Sequence, residues 1–258
     1  MIYNVNEILA CLAVKHQGDW DSIFRSLVSR QFDDLDCYYE KLQQMECGYV
    51  SISDERYPKE LQQVYKPPFV LFYYGDINLL SNINKNIAVV GSRTCTEYGI
   101  NTTHEIVKDV AKEFTVVSGM ALGIDTEAQK TAIESGGRTI AVLGCGIDIV
   151  YPAANRELYN EIKKNHLIIS ELPGIACSRP ESFPFRNRII AGISKGTLVT
   201  EAYSKSGTLI TIMYTLELNR TLMCVPYPIG MNSECNRLIS DGAYLVENGM
   251  EVIDLLKT

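Results

Sequence analysis

The chain has 258 residues, 46% of them apolar and 21% charged, a balance that suits a soluble globular protein of one large domain or one and a half. No apolar run approaches the roughly 18 residues of a membrane span, and the opening MIYNVNEIL lacks the basic start and apolar core of a signal peptide, so a cytoplasmic protein is expected. The net charge of −7 excludes a broad basic stripe of the kind that carries nucleic acid along a whole face.

Residues 1–46 predict a small acidic helical module. Val5, Ile8, Leu9 and Leu12 follow helical spacing, as do Ile23, Phe24 and Leu27 after Gly18-Asp19-Trp20, and residues 32–45 give a weaker third segment. Trp20 is expected in the core. Residues 1–80 carry 7 basic against 12 acidic side chains, whereas residues 81–258 carry 17 against 19. The larger part is therefore near neutral and leaves room for a local basic pocket.

From Gly48 the pattern changes to a second unit, 47–258. A short strand over 49–52 and a short helix carrying Leu61 and Val64 lead to Pro67-Pro68 and the β-rich run FVLFYY. Strands over 87–90, 115–117, 139–143, 167–169, 197–200 and 221–225 then alternate with helices over about 97–113, from 123, over 155–164, from 182 and one opened by 204–207. In that last helix Leu209, Ile212, Met213 and Leu216 predict a core stripe. Short α, β and α elements finish the chain. Repeated β-then-α units with continuous apolar strands mean a doubly wound, mostly parallel sheet with helices on both faces.

Ligands in such sheets bind beyond the carboxyl ends of the strands. Those ends carry Gly91-Ser92-Arg93, Ser118-Gly119, Gly144-Cys145-Gly146 and, one turn later, Ser204-Lys205-Ser206-Gly207. Glycine allows close approach, and hydroxyls and loop amides take phosphate oxygens. The stretch SFPFRNRIIAG, 182–192, adds a helix start with Ser182 as its cap, a proline in its first turn, and Arg186 and Arg188 as planar bidentate donors. Ile189, Ile190 and Ile193 bury the helix. The alternative for Arg186 and Arg188 is pairing with nearby carboxylates; Glu171 and Glu201, near strand ends, are placed to orient arginines.

Catalytic chemistry finds no support. Asp125 and Asp148 make no convincing acid–base pair, Asp125 suiting a helix start. No Ser-His-Asp, Cys-His or H-E-x-x-H arrangement occurs. His16, His104 and His166 are scattered, and the eight cysteines contain no C-x-x-C, which argues against zinc and for a reducing compartment. No metal or cofactor is expected. The first βα turn reads G-S-R-T-C-T in place of G-x-G-x-x-G, and Arg93 would fill the space of a pyrophosphate turn.

These residues resemble the DNA-processing family called DprA or Smf. The resemblance runs in order from Tyr57-Pro58 through PPFVLFYYGD, IAVVGSR, SGMALGID, TIAVLGCGIDIVYPAAN, ISELP, FPFRNRIIAG, SKSGTLIT and LISDGA, about residues 48–246. It implies an extended Rossmann-like fold, no enzymatic activity, a homodimer, and sequence-independent binding of single-stranded DNA. It also implies loading of the recombinase RecA on incoming strands in natural transformation and homologous recombination. Carried over by motif, the phosphate-binding residues are Gly91, Ser92 and Arg93; Ser118 and Gly119; Phe185, Arg186, Asn187 and Arg188; and Lys205, Ser206, Gly207 and Thr208. Two positions depart from the family. Ala153 and Ala154 follow Tyr151-Pro152 where many members carry lysine, so Arg156 is the candidate replacement if it faces the pocket, and Gln129 stands where histidine is frequent. With the chain ending at Thr258, the winged-helix module of many members, and duplex binding through it, is not expected.

A second reading is a Rossmann-like hydrolase or sensor for a nucleotide or phosphoribosyl compound. Such hydrolases carry P-G-G-x-G-T-x-x-E, and Ser206-Gly207-Thr208 lacks the paired glycines and the glutamate. The apolar residues of 243–256 suit either a cover for a sheet edge or a two-fold interface.

Overall fold

The computed structural model describes residues 3–176, 179–204 and 206–257. Three helices come first, α1 (Val5–Lys15), α2 (Trp20–Ser29) and α3 (Leu35–Gln43). α1 begins where Asn4 and Glu7 satisfy each other's amides in a capping box, and Asp19 caps α2 through the Ser22 amide. β1 (Gly48–Ser51) and β2 (Val70–Gly75) then pair antiparallel. After them strand and helix alternate: β3 (Asn86–Gly91), α4 (Glu97–Val110), β4 (Thr115–Ser118), α5 (Ile124–Glu134), β5 (Thr139–Leu143), α6 (Arg156–Asn165) and β6 (Leu167–Ser170). The second half holds α7 (Ser182–Gly192), β7 (Gly196–Glu201), α8 (Thr208–Glu217), β8 (Thr221–Cys224), α9 (Cys235–Ser240), β9 (Tyr244–Leu245) and α10 (Gly249–Lys257).

Among the described residues these strands form one nine-stranded sheet, in the order β1-β2-β6-β5-β4-β3-β7-β8-β9. From β6 across to β9 every neighbour is parallel; β2 runs antiparallel to β6. The pleat sends successive side chains to opposite faces. Ala88 and Val90 of β3 therefore meet Ile189 and Ile190 of α7, while Ile87 and Val89 meet Ile106 and Val107 of α4. A strand apolar at every position needs helices on both sides, and each Val or Ile so buried contributes about 1.5–3 kcal/mol.

The N-terminal helices extend this core. Leu9 and Leu12 of α1 share one apolar cluster with Val70, Phe72 and Ile168, so the module packs against the antiparallel end of the sheet. Trp20 stacks between Phe24 and Phe69, with ring centroids 5.1 and 5.0 Å away, and its indole N–H donates to Pro67 O at 2.8 Å.

Three expectations need correction or resolution. Met213 and Leu216 of α8 are exposed, and Thr208, Thr211, Ile212 and Thr215 are the buried residues. The threonines face inward because the facing strand offers a partner: the Thr215 and Thr197 hydroxyls are 2.7 Å apart. Ser182 does not cap α7; its hydroxyl accepts the Arg179 amide at 3.1 Å, outside the helix. In α10, Val252, Ile253 and Leu256 are buried against α4 and β8, while Tyr244, Leu245 and Met250 stay exposed.

Gly75 ends β2 with φ +90°, and a Cβ there would stand 2.0 Å from His166 O, the carbonyl that accepts the Asp76 amide. Gly75→Ala is expected to destabilise the protein by more than about 1 kcal/mol, read as a lower urea midpoint at unchanged m-value.

Candidate nucleic-acid interface

β3 starts the parallel series; β4 lies on one side of it and β7 on the other, so the strand order reverses between β3 and β7. Beyond their carboxyl ends opens a cavity of about 440 Å³, where a doubly wound sheet places its ligand. Gly91, Ser92 and Arg93 form one wall, Ser206, Gly207 and Thr208 the other, and Arg186, Asn187 and Asp125 the floor. A smaller recess of about 80 Å³ adjoins it, with Gly119, Leu122, Tyr151 and Phe183 in its lining and Arg93 and Arg186 shared with the main cavity.

Arg93 is exposed, on a turn that the backbone holds firmly. The Ser92 amide donates to Glu201 O at 2.9 Å and the Ile124 amide donates to Ser92 O at 3.2 Å. The Ser92 hydroxyl accepts the Thr94 amide at 3.1 Å and donates to Thr94 O at 2.9 Å. The Arg93 guanidinium lies 5.8 Å from the centre of the Phe183 ring, close enough to Arg186 for the two charges to repel.

Arg186 is 6% exposed. Its Nη1 donates to Gly119 O at 2.9 Å and to Val142 O, and its Nε donates to Asn187 Oδ1 at 3.1 Å. Burial lowers its pKa to about 10, against the upward pull of Asp125. Asp125 accepts the amides of Gly119 at 3.1 Å and Ala121 at 3.3 Å, and burial pushes its carboxyl above the ordinary range. Gly119 fits between the two side chains: a Cβ would come within 2.5 Å of Arg186 Nη2 and 2.7 Å of Asp125 Oδ2. Asn187 closes the floor by donating to Gly207 O at 3.2 Å.

Four candidates fall outside the cavity. Arg188 is fully buried and bidentate to Glu171, at 2.7 and 2.8 Å, so the carboxylate alternative applies to it. Phe185 lies over that guanidinium, 3.7 Å from ring centre to charge. Helical geometry explains both: Phe183 and Arg186 share one face at i, i+3, and Phe185 and Arg188 share another. Ser118 is buried with its hydroxyl on Val89 O at 2.7 Å. Arg156 opens α6, exposed, but it is not among the residues that line either cavity. Lys205 lies outside the described residues. Conversely, Phe183, Tyr151 and Tyr203 belong to the site without having been named as binding residues from sequence, and Asp125, read there as a helix-start residue, lines the cavity as well. The i, i+3 offset from Arg186 is the signal that marks Phe183.

Arg188→Ala leaves the largely covered Glu171 carboxylate unpaired and is expected to cost about 3–5 kcal/mol, whereas Arg93→Ala stays within about 0.5 kcal/mol of the parent. Chemical denaturation of the two variants checks this.

A family model, DNA recombination-mediator protein A, matches residues 48–257. The chain is 41% identical over 205 residues to DNA processing protein DprA of Streptococcus pneumoniae, covering 79% of this chain and 72% of that one. It is 40% identical over 221 residues to protein Smf of Synechocystis, covering 84% and 54%. The X-ray structure of the Streptococcus pneumoniae protein superimposes with a TM-score of 0.83 at 36% identity, over 96% of this chain and 92% of the other. DNA processing protein A of Helicobacter pylori, whose structure describes a single-stranded DNA binding mode, superimposes with a TM-score of 0.74 at 29% identity, over 82% and 96%. By the motifs, the fold and these matches, the chain belongs to the DprA/Smf family of DNA recombination mediators.

Proposed function

We propose that this protein binds single-stranded DNA through the sugar-phosphate backbone, in the cavity beyond β3 and β7, as a recombination mediator. Its role is to load RecA on incoming strands in natural transformation and homologous recombination. The observation that carries the reading is Arg93, an exposed guanidinium on a fixed turn at the mouth of a cavity of about 440 Å³. A planar fork of N–H donors grips phosphate oxygens. Opposite it, α8 begins without a side-chain cap, and the positive end of its dipole favours an anion. Phe183 and Tyr151, with ring centroids 5.2 Å apart, offer faces on which any base stacks. The single-stranded DNA binding mode described for the Helicobacter pylori relative supports single-stranded DNA as the ligand.

The cavity acts as a binding site and not as a catalytic one. Its carboxylate, Asp125, accepts the amides of Gly119 and Ala121 on Oδ2 and serves the floor of the site. We also propose a homodimer, a reading supported by the apolar side chains that α8, β9 and α10 leave in water, Met213, Leu216, Tyr244, Leu245 and Met250.

Fluorescence anisotropy with labelled oligonucleotides tests the binding. Affinity should vary little with base sequence, favour single strand over blunt duplex, and fall with salt, and Arg93→Ala should flatten the salt slope by about 0.7. Equal affinity for duplex, no salt response, or a strong thermal shift with one nucleotide would overturn the reading. Light scattering is expected to give twice the chain mass at micromolar concentration; a strict monomer refutes the dimer.

A further inference from the structure

The first helix after the first parallel strand points its free amides into the ligand crevice, and dinucleotide-binding folds seat a pyrophosphate there. In this protein the end of β7 already occupies that seat. Glu201 is fully buried, and its carboxylate rests on the first turn of α4. The Thr96 amide donates to Oε1 at 3.1 Å and Oε2 at 3.0 Å, and the Thr96 hydroxyl donates to Oε2 at 2.9 Å. That hydroxyl accepts the Gly99 amide at 3.1 Å, which carries the interaction one turn further. Tyr227 donates to Oε2 at 3.0 Å, and Tyr203 donates to Oε1. These partners are neutral, so the helix end supplies the positive pole. A Cβ on Gly99 would stand 1.9 Å from Oε2; only glycine lets the carboxylate come so close.

The main chain of the same residue holds the other end of the turn. Glu201 O accepts the Ser92 amide at 2.9 Å, across the irregularity in register after Val90. Ser92 and Thr96 bracket Arg93, and one residue anchors both. Its carboxylate also fixes the phenol of Tyr203, which lines the cavity.

We propose that Glu201 is the positioning residue of this site, an internal anion that takes the place of a ligand phosphate on α4 and thereby aims Arg93 at the DNA backbone. Its effect on affinity rests on the single-strand reading above; its effect on the turn does not. Glu201→Gln keeps the shape, removes the charge and turns one acceptor into a donor facing the Thr96 amide.

The experiment pairs oligonucleotide anisotropy with hydrogen exchange over residues 92–96. Glu201→Gln is expected to speed exchange in that turn and to weaken single-strand binding about tenfold, but less than about twofold when Arg93→Ala is already present. A purely structural residue would weaken both backgrounds equally, and that additivity, or unchanged exchange with unchanged affinity, overturns the proposal. If the wild-type chain fails to bind single strands, the functional reading falls while the exchange comparison still decides the role of Glu201. Should Glu201→Gln not fold, Glu201→Asp, which withdraws the carboxylate from Thr96 by one methylene, carries the same readouts with the same outcomes.

Discussion

Arg188 and Glu171 meet under the start of α7, and the placement of the cavity groups follows from that contact. The two Nη2 bonds to the carboxylate are joined by Nε on the carbonyls of Tyr65, at 3.1 Å, and Lys66, at 3.0 Å, and by Nη1 on Phe185 O at 3.0 Å. Every nitrogen of the guanidinium thus has an acceptor, and the Phe185 ring covers its face. A buried charge is tolerated only when paired and fully hydrogen-bonded, so the geometry admits little slack. The bonds tie α7 to the end of β6 and to the loop before β2. With the helix fixed, the face one residue round carries Phe183, Arg186 and Ile190 to the cavity.

Around that fixed helix the site separates charge by depth. Arg186 is buried and spends its donors on carbonyls at the ends of β4 and β5, with Asp125 across Gly119. It shapes the floor, and in the proposed reading it acts on a ligand through its field in a poorly solvated place. Arg93 is exposed and mounted on a turn held at both ends, which makes it the contact group of that reading. A chain with net charge −7 can in this way take up a polyanion, because a concave wall concentrates potential locally whatever the total. The turn itself depends on Glu201, whose buried carboxylate draws together the loop after β3, the start of α4 and the loop after β7.

Much of this was legible in the residues. Strands apolar at every position predicted a parallel sheet covered on both faces, and their glycine-rich ends predicted where a ligand would lie, because both follow from local rules of pleat and turn. The GSR turn and the beginnings of α7 and α8 met at one cavity as the sequence implied. The partners of individual side chains were not legible. Arg186 and Arg188, separated by a single residue, look alike in sequence, yet one lines a cavity and the other is sealed under Phe185. Their fates depend on Glu171, Tyr65 and Lys66, brought in by folding from elsewhere in the chain.

The same division holds for α8 and Glu201. Hydrophobic spacing marked Met213 and Leu216 as core, and the fold turned Thr211 and Thr215 inward because Thr197 of the neighbouring strand could satisfy a hydroxyl there. Glu201 was noted only as an acid near a strand end, available to an arginine; the tertiary structure gave it an amide and three hydroxyls. The amino-acid sequence alone determined the architecture, the family and the neighbourhood of the site, since periodicity, turn chemistry and contiguous motifs are properties of short stretches. Only the tertiary structure decided which charges face water and which are consumed inside, since burial and pairing are set by residues that the chain keeps far apart until it folds.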